Sequence, residues 1–168
     1  MLLGAALAAG RPAAADAVET SGDVLRWAIP AAAGVVSWRR DDDLGLRQLA
    51  VSFAATAAST LALKELIDKE RPNGDSKAFP SGHAATSFAG ATYLHRRYGW
   101  REALPAYVLS AYVGWTRVHA DEHEVEDVLG GAALAAAWSW WLVDPAGPSS
   151  ITPVVTRNGL MLLYSARW

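Results

Sequence analysis

The sequence predicts an all-α protein, a helical bundle of about five core helices with a short C-terminal β-hairpin-like tail. Most of the chain consists of helix-length stretches rich in alanine, leucine and valine, and proline, glycine or clustered charges separate them. Near the end of the chain, two short strand-like runs flank Asn158-Gly159, which is a hairpin signal. With 168 residues, the chain is long enough for one domain with its own core.

The composition excludes several kinds of partner and site. The net charge of −2 provides no general attraction to nucleic acid, so we expect no nucleic-acid partner. The chain contains no cysteine, which excludes disulfides and thiolate metal sites.

The N-terminal segment is predicted to be a signal peptide that lies outside the fold. Residues 1–10 are apolar or glycine, and the spacing of Ala13 and Ala15 suits cleavage before Asp16. No basic leader precedes the apolar run, and a short alanine-rich helix is the alternative. Export would place the protein in the cell envelope, periplasmic or secreted. The chain accordingly divides into three predicted regions: a signal peptide at 1–15, a helical domain at 22–144 and a tail at 145–168.

Five predicted helices make up the domain, and local signals mark most of their boundaries. The charge run 39–43 ends the first helix and is expected to be a solvated loop. The second must stop at or before Arg71-Pro72, because proline disfavours a helical residue before it. Gly99 fits a C-cap for the third. The predicted helices span residues 24–38, 44–70, 81–98, 102–117 and 123–143.

The sequence leaves open whether these helices cross a membrane. A span needs about 20 apolar residues, with 18 as the usual threshold, and the uncharged runs in four of the predicted helices are shorter. The run 78–95 is long enough but contains a polar turn and His83. Tryptophans near helix ends, such as Trp27 and Trp38, suit an interfacial belt and the ends of an ordinary core equally well. A bundle lying against a membrane and an integral membrane protein are both consistent with this pattern.

The stretch 79–88 is the first sign of a functional site. Pro80 fixes its own φ and keeps the preceding residue out of a helix. Ser81 is a natural N-cap, and Gly82 permits a ligand to approach the backbone closely. His83 then lies in the first turn of a helix, beside unpaired backbone N–H groups and the positive end of the helix dipole. Such a position favours anions, phosphate above all.

Further polar residues stand at the ends of otherwise apolar helices. Lys64 and Arg71 are seven residues apart and are expected to share one helix face, and Arg117 ends the fourth predicted helix. His123 and Asp127 are four apart, so the carboxylate can accept the imidazole Nδ1–H and orient the ring. Taken singly, each has an ordinary explanation as a solvated charge or a local hydrogen bond. Together they provide three cations, two histidines and an anion-binding helix start, which suits phosphoryl transfer.

These stretches resemble the three signature motifs of the type 2 phosphatidic acid phosphatase superfamily, which includes vanadium-dependent haloperoxidases and bacterial class A acid phosphatases. The matching motifs are Lys64-x6-Arg71-Pro72, Pro80-Ser81-Gly82-His83 and Arg117-x5-His123-x3-Asp127. Three motifs in order, with the family's internal spacings, are a specific signal. Thr116 stands where the family usually has serine, and it keeps the hydroxyl.

The resemblance implies a role for each motif residue, at an active site formed by helix ends. His123 would be the nucleophile that attacks phosphorus and forms a phosphohistidine, and Asp127 would hold it in the attacking tautomer. His83 would protonate the leaving oxygen and then activate water. The remaining motif residues would hold the phosphoryl oxygens: Lys64, Arg71, Ser81, Gly82 and Arg117. No metal or other cofactor is implied, and vanadate is expected to act as an inhibitor.

The expected activity is metal-independent hydrolysis of a phosphate monoester, either a lipid phosphate at a membrane surface or a small exported ester. Two alternatives stay open: a vanadate-dependent haloperoxidase, for which the chain is short, and a non-catalytic helical membrane protein that retains the motifs. The acidic stretch 121–127 is expected to lower the electrostatic potential near the site and to oppose highly charged substrates.

Overall fold

The computed structural model describes residues 13–146, 150–156 and 159–165, which form five helices followed by one β-hairpin. The elements are α1 (Ala13–Arg39), α2 (Asp43–Ile67), α3 (Gly82–Tyr98), α4 (Trp100–His119), α5 (Val125–Leu142), β1 (Ser150–Thr156) and β2 (Gly159–Ser165). The central helix is α3, which contacts each of the other four helices. The predicted all-α bundle is confirmed.

Glycines set the distances between the helices that surround α3. A Cβ added to Gly90 would lie 2.8 Å from backbone atoms of Pro30, so α3 and α1 touch through their backbones. A Cβ added to Gly131 would lie 2.6 Å from the carbonyl oxygen of Ser81, so α5 comes equally close to the start of α3. Because protein interiors are close-packed, a larger residue at either position would push these helices apart.

The interior is built mostly of small side chains, whereas many large apolar side chains lie on the surface. Buried positions include Ala33, Ser52, Thr56, Ala84, Ala91, Thr92 and Ser110. Exposed positions include Trp27, Trp38, Val51, Leu61, Val108, Trp115, Leu129 and Trp141. Small residues at helix contacts are typical of proteins whose outer surface faces lipid. Within the described part of the chain, α2 is the one helix long and apolar enough to cross a membrane.

Two predicted helix boundaries are wrong. α1 begins at Ala13 rather than at residue 24, because polar side chains in the added turns bond to α3 and α4. α2 ends at Ile67, three residues before the prediction, where Asp68 adopts a left-handed conformation at the C-cap (φ 35°, ψ 46°). The other helix ends agree with the prediction to within two residues. Residues 1–12 lie outside the described residues, and signal-peptide cleavage stays a prediction.

The expectation that residues 39–43 form a solvated loop is wrong for Asp42. Its side chain caps α2 by accepting the N–H of Gly45 at 2.9 Å, and it pairs with Arg97 at 2.5 Å. Tyr98 donates a hydrogen bond to the same carboxylate at 2.6 Å. This network ties the start of α2 to the end of α3, so it stabilises the bundle at the end remote from the first turn of α3.

The C-terminal strands form the predicted hairpin. β1 and β2 pair antiparallel, with Val155 opposite Leu160 and Thr156 opposite Gly159. Asn158 of the predicted turn lies outside the described residues.

Candidate active site

Four helix ends meet at one end of the bundle. The backbone N–H of Ser81 donates to the carbonyl of Asp127 at 2.9 Å, which joins the start of α3 to the first turn of α5. A Cβ added to Gly82 would lie 4.0 Å from Cε of Lys64, near the end of α2. The structure thereby brings together all the predicted site residues: Lys64, Arg71, Ser81, Gly82, His83, Arg117, His123 and Asp127.

The start of α3 has the geometry of an anion-binding cradle. Ser81 is the N-cap, and its Oγ accepts the backbone N–H of Ala84 at 3.4 Å. Apart from Lys64, nothing approaches a Cβ on Gly82 within 4 Å, so open space lies beside that backbone. Unpaired backbone N–H groups and the helix dipole both favour an anion there. The predicted cap at Ser81 is confirmed, and its use in binding phosphate is a proposal developed below.

Cationic side chains surround this helix start. Arg117 is only 4% exposed, and its Nε and Nη1 are buried without a hydrogen-bond partner among the described residues. The Nε atom of Arg71 is also buried without a hydrogen-bond partner among the described residues. Lys64 donates to the carbonyl of Lys77 at 2.5 Å. Guanidinium donors that the protein itself leaves unbonded are suited to phosphoryl oxygens, because arginine binds such oxygens through charge-assisted bonds.

The prediction that Lys64 and Arg71 share a helix face is wrong. α2 ends at Ile67, and Arg71 belongs to the loop that follows, where its backbone N–H donates to the carbonyl of Asp75 at 2.6 Å. This loop nevertheless brings Arg71 back towards Lys64, and the charges of both act on His123. A folded loop, and not helical periodicity, therefore places the second cation.

His123 is buried and carries no charge near pH 7. Burial lowers the pKa of its imidazole to about 4, the charges of Lys64, Arg71 and Arg117 act in the same direction, and that of Asp127 opposes them. A neutral imidazole keeps a lone pair available, which a nucleophile requires.

The predicted hydrogen bond between His123 and Asp127 is not formed. Nδ1 of His123 lies 3.7 Å from Oδ2 of Asp127, longer than a hydrogen bond, and has no other partner within the described ranges. The fully buried carboxylate of Asp127 instead accepts the backbone N–H of Glu124 at 2.9 Å and Nζ of Lys69 at 2.8 Å. These two bonds fix the carboxylate beside the ring, so it acts on His123 through its charge.

Lys69, to which the sequence assigned no role, lies among three carboxylates. Its Nζ is 2.6 Å from Glu124, 2.5 Å from Glu126 and 2.8 Å from Asp127. Burial alone would lower the pKa of Lys69, but hydrogen bonds to these carboxylates raise it above its ordinary value. The sequence signal for this pairing is a lysine two residues before Arg71, combined with three acids at the start of the fifth helix.

A second contact that sequence reasoning missed comes from α1. Nε2 of His83 lies 2.6 Å from Oδ1 of Asp23, and Nδ1 lies 3.4 Å from Nη1 of Arg26. Burial lowers the pKa of His83 to about 4, the bond to Asp23 opposes this shift, and the charges of Arg117 and Arg26 reinforce it. The sequence feature that could have indicated this contact is the spacing of Glu19, Asp23 and Arg26. They are four and then three residues apart, which places them on one helix face.

The acidic stretch 121–127 is largely paired with cations. Glu122 forms an ion pair with Arg71 and lies 3.8 Å from Arg117. Glu122 therefore neutralises part of the charge of Arg71, a side chain to which the motifs give a phosphate-binding role, and it would compete with an anionic ligand there.

An apolar groove between α1, α2 and α3 opens beside the cradle. Its walls include Phe53, Ala57 and Leu61, and both Lys64 and Gly82 contribute to its lining. The groove therefore connects the apolar surface of the bundle with the cationic helix ends.

A helical bundle that gathers two histidines, three cations and a capped helix start at one end has side chains suited to phosphoryl transfer. Residues 45–145 match the PAP2 superfamily, and the chain belongs to this family. It is accordingly a phosphatase of the phosphatidic acid phosphatase type.

Two curated relatives share about a third of their aligned residues with this chain. The lipid A 4'-phosphatase of Helicobacter pylori (strain J99) is 32% identical over 135 residues, which cover 73% of this chain and 68% of the relative. The lipid A 1-phosphatase of Porphyromonas gingivalis is 33% identical over 102 residues, which cover 56% of this chain and 23% of the relative. The chain thus spans about a quarter of this second relative.

Two solved structures share the fold. The crystal structure of Aquifex aeolicus LpxE superposes with a TM-score of 0.65 at 18% identity, covering 80% of this chain and 88% of that one. A transmembrane PAP2-type phosphatidylglycerolphosphate phosphatase from Bacillus subtilis gives a TM-score of 0.63 at 20% identity, with coverages of 80% and 77%. At these identities the likeness concerns the fold alone.

Proposed function

We propose that this protein hydrolyses a lipid phosphate monoester without a metal ion, through a phosphohistidine on His123. The observation that carries the proposal is the buried, neutral imidazole of His123 among Lys64, Arg71 and Arg117, beside the capped start of α3. Phosphoryl transfer requires a positioned nucleophile and fixed positive charge around the phosphoryl oxygens. This group of residues is suited to both requirements.

In the first step, a ring nitrogen of His123 attacks phosphorus while the bond from phosphorus to the ester oxygen breaks. His83 donates a proton to the departing oxygen, so the alcohol leaves in neutral form. The charge that develops on the phosphoryl oxygens is stabilised by the fixed donors around them: Lys64, Arg71, Ser81, Gly82 and Arg117.

In the second step, water attacks the phosphorus of the phosphohistidine and passes a proton to His83. The bond between nitrogen and phosphorus breaks, inorganic phosphate leaves, and His123 regains its lone pair. Asp127, held by Lys69 and Glu124, offsets part of the surrounding positive charge while the ring carries the phosphoryl group.

Two observations support a lipid ester over a small soluble ester. The groove beside Gly82 is mostly apolar, and it can hold a hydrocarbon portion while the phosphate lies in the cradle. Large apolar side chains also cover the outside of the bundle, where they would contact lipid. The two curated relatives are lipid A phosphatases by name, which supports an envelope glycolipid as the substrate.

The same surface supports association with a membrane of the cell envelope. α2 meets the length and composition of a spanning helix, and exposed tryptophans such as Trp27 and Trp141 suit an interfacial belt. We propose that the cationic helix ends lie at the membrane surface, where they meet the headgroup of a lipid.

The test is phosphate release by the full chain in detergent micelles, with a phosphorylated glycolipid, phosphatidic acid and an aryl phosphate as substrates. We expect release from the lipids, persistence in a chelator, inhibition by vanadate, and no release by His123→Ala. Activity lost in chelator and restored by a divalent ion would contradict metal independence. Vanadate-dependent halide oxidation without phosphate release would identify a haloperoxidase, and inactivity in both assays would indicate a non-catalytic protein.

A further inference from the structure

The first turns of α1 present a polar face to the catalytic end of the bundle. Glu19 lies 3.2 Å from Nη2 of Arg117, and Asp23 lies 2.6 Å from His83 and 3.6 Å from Nη1 of Arg117. Arg26, one turn further along, approaches the other ring nitrogen of His83. The motifs of the family lie between residues 64 and 127 of this chain, so this face belongs to none of them.

Close packing holds this part of α1 in place. A Cβ added to Gly22 would lie 2.3 Å from Oγ1 of Thr116, so the α1 backbone rests directly on α4. Ser21 and Tyr112 share a hydrogen bond of 2.8 Å between the same two helices. The packing of the two preceding residues against α4 therefore fixes the position of Asp23.

The contacts of the His83 ring define which nitrogen carries the proton. A guanidinium only donates hydrogen bonds, so Nδ1 of His83, at 3.4 Å from Arg26, is the acceptor. Nε2 then carries the hydrogen of the neutral ring and donates it to Oδ1 of Asp23 at 2.6 Å. The carboxylate of Asp23 also stabilises the imidazolium form of His83, because its negative charge lies beside the positively charged ring.

We propose that Asp23 is a positioning residue for His83: its carboxylate binds Nε2, orients the ring so that Nδ1 is the nitrogen that passes a proton to the leaving oxygen, and stabilises the imidazolium during that transfer. This inference rests on the proposed function, because it assumes that His83 is the proton donor.

The charges that face His83 explain why a carboxylate is needed. Arg26 from α1 and Arg117 from α4 both oppose protonation of the ring, and Lys64 from α2 lies beside the neighbouring Gly82. His123 on the α5 side is neutral near pH 7. Of the described carboxylates, Asp23 is the one bonded to the ring. Burial alone would raise the pKa of Asp23, but its bond to His83 and the nearby cations lower it, so Asp23 stays ionised as the partner of the imidazolium.

The experiment compares Asp23→Asn with the wild-type full chain in detergent, on an alkyl lipid phosphate and an aryl phosphate. The substitution keeps the shape of the side chain and removes its charge. A general acid contributes roughly 10²–10⁴-fold, so we expect a loss of about tenfold or more in kcat/KM for the alkyl ester and a much smaller loss for the aryl ester. The alkaline limb of the pH profile is expected to move to lower pH, because the imidazolium loses its stabilising charge.

A matched control and a double variant separate positioning from structure. Asp16→Asn removes the same charge from an exposed position two turns away on α1, and it is expected to leave kcat/KM unchanged for both substrates. The double variant His83→Ala/Asp23→Asn is expected to have the same kcat/KM on the alkyl ester as His83→Ala alone, because Asp23 acts through His83. The side chain of Asp23 is half exposed, so the variant is expected to melt at the wild-type temperature.

Equal losses on both esters with an unshifted pH profile, or additive losses in the double variant, would overturn the proposal. Wild-type kinetics in Asp23→Asn, together with inactive His83→Ala, would overturn it while leaving the proposed function intact. Failure of the proposed function itself would instead appear as absence of phosphate release by the wild-type protein.

Discussion

The Gly82→Ala substitution tests the anion cradle at a position where a methyl group costs the fold little. The added Cβ meets nothing nearer than Cε of Lys64 at 4.0 Å, which is an ordinary van der Waals distance. Where the native backbone conformation suits alanine, this replacement stabilises a protein by about 0.4–1 kcal/mol, chiefly by restricting the unfolded chain. We therefore expect the free energy of unfolding to stay unchanged or to rise slightly.

The same methyl group would occupy the space through which a phosphoryl oxygen approaches the backbone N–H of Gly82. Loss of one donor to a developing anion lowers kcat by about 10²–10³-fold, or about 2.7–4 kcal/mol. We expect a loss of this order in lipid phosphate hydrolysis. Inhibition by vanadate should weaken in parallel, because the inhibitor is expected to use the same donors.

The assay pairs phosphate release with thermal unfolding in detergent. Gly34→Ala is the matched control. Gly34 lies on the part of α1 remote from the site, and its added Cβ would lie 3.7 Å from Cδ2 of Leu49 on α2, an ordinary van der Waals distance. This control should retain both activity and stability. Full activity in Gly82→Ala would refute the cradle, and loss of activity accompanied by a lowered melting temperature would show that Gly82 serves packing instead.

Three further predictions concern charges around the site. Lys69→Met leaves the fully buried Asp127 without its cation and should lower the free energy of unfolding by about 3 kcal/mol, measured by chemical denaturation. Glu122→Gln releases Arg71 and should lower KM for anionic substrates roughly threefold, more at low salt; unchanged KM across ionic strengths would contradict the competition. On an aryl phosphate, whose leaving group needs no proton from His83, the kcat/KM of the wild type should fall as pH drops through about 4, because protonation removes the lone pair of His123; a flat profile on this substrate would contradict a neutral nucleophile.

The motif residues could be found from the sequence because each stands at or near a helix boundary that has a local signal. Proline and an N-cap serine mark the start of α3, so the position of His83 follows from neighbouring residues alone. A spacing of four residues likewise places His123 and Asp127 side by side, although not at hydrogen-bond distance. Short-range rules therefore identify these groups, whereas the final distance depends on Lys69, which binds the carboxylate from another part of the chain.

The contribution of α1 could not be predicted in the same way. Asp23 meets His83 across 60 residues of sequence, and no local rule specifies which helix face will turn towards the site. The first turns of α1 also resemble a polar segment that follows a signal peptide, so helix formation there depends on tertiary contacts such as that between Ser21 and Tyr112. The loop that returns Arg71 to the site is another case in which tertiary structure, and not periodicity, decides the position.

In the proposed reaction, His123 carries the phosphoryl group and His83 moves the protons. The direct measurement is a rapid-quench burst with an aryl phosphate, whose leaving group departs without a proton donor, on His83→Ala and His123→Ala. We expect His83→Ala to accumulate phosphoenzyme and release one equivalent of phenol per site, because water is no longer activated. His123→Ala should give neither phosphoenzyme nor burst. A burst from His123→Ala and none from His83→Ala would contradict the assignment and exchange the roles of the two histidines.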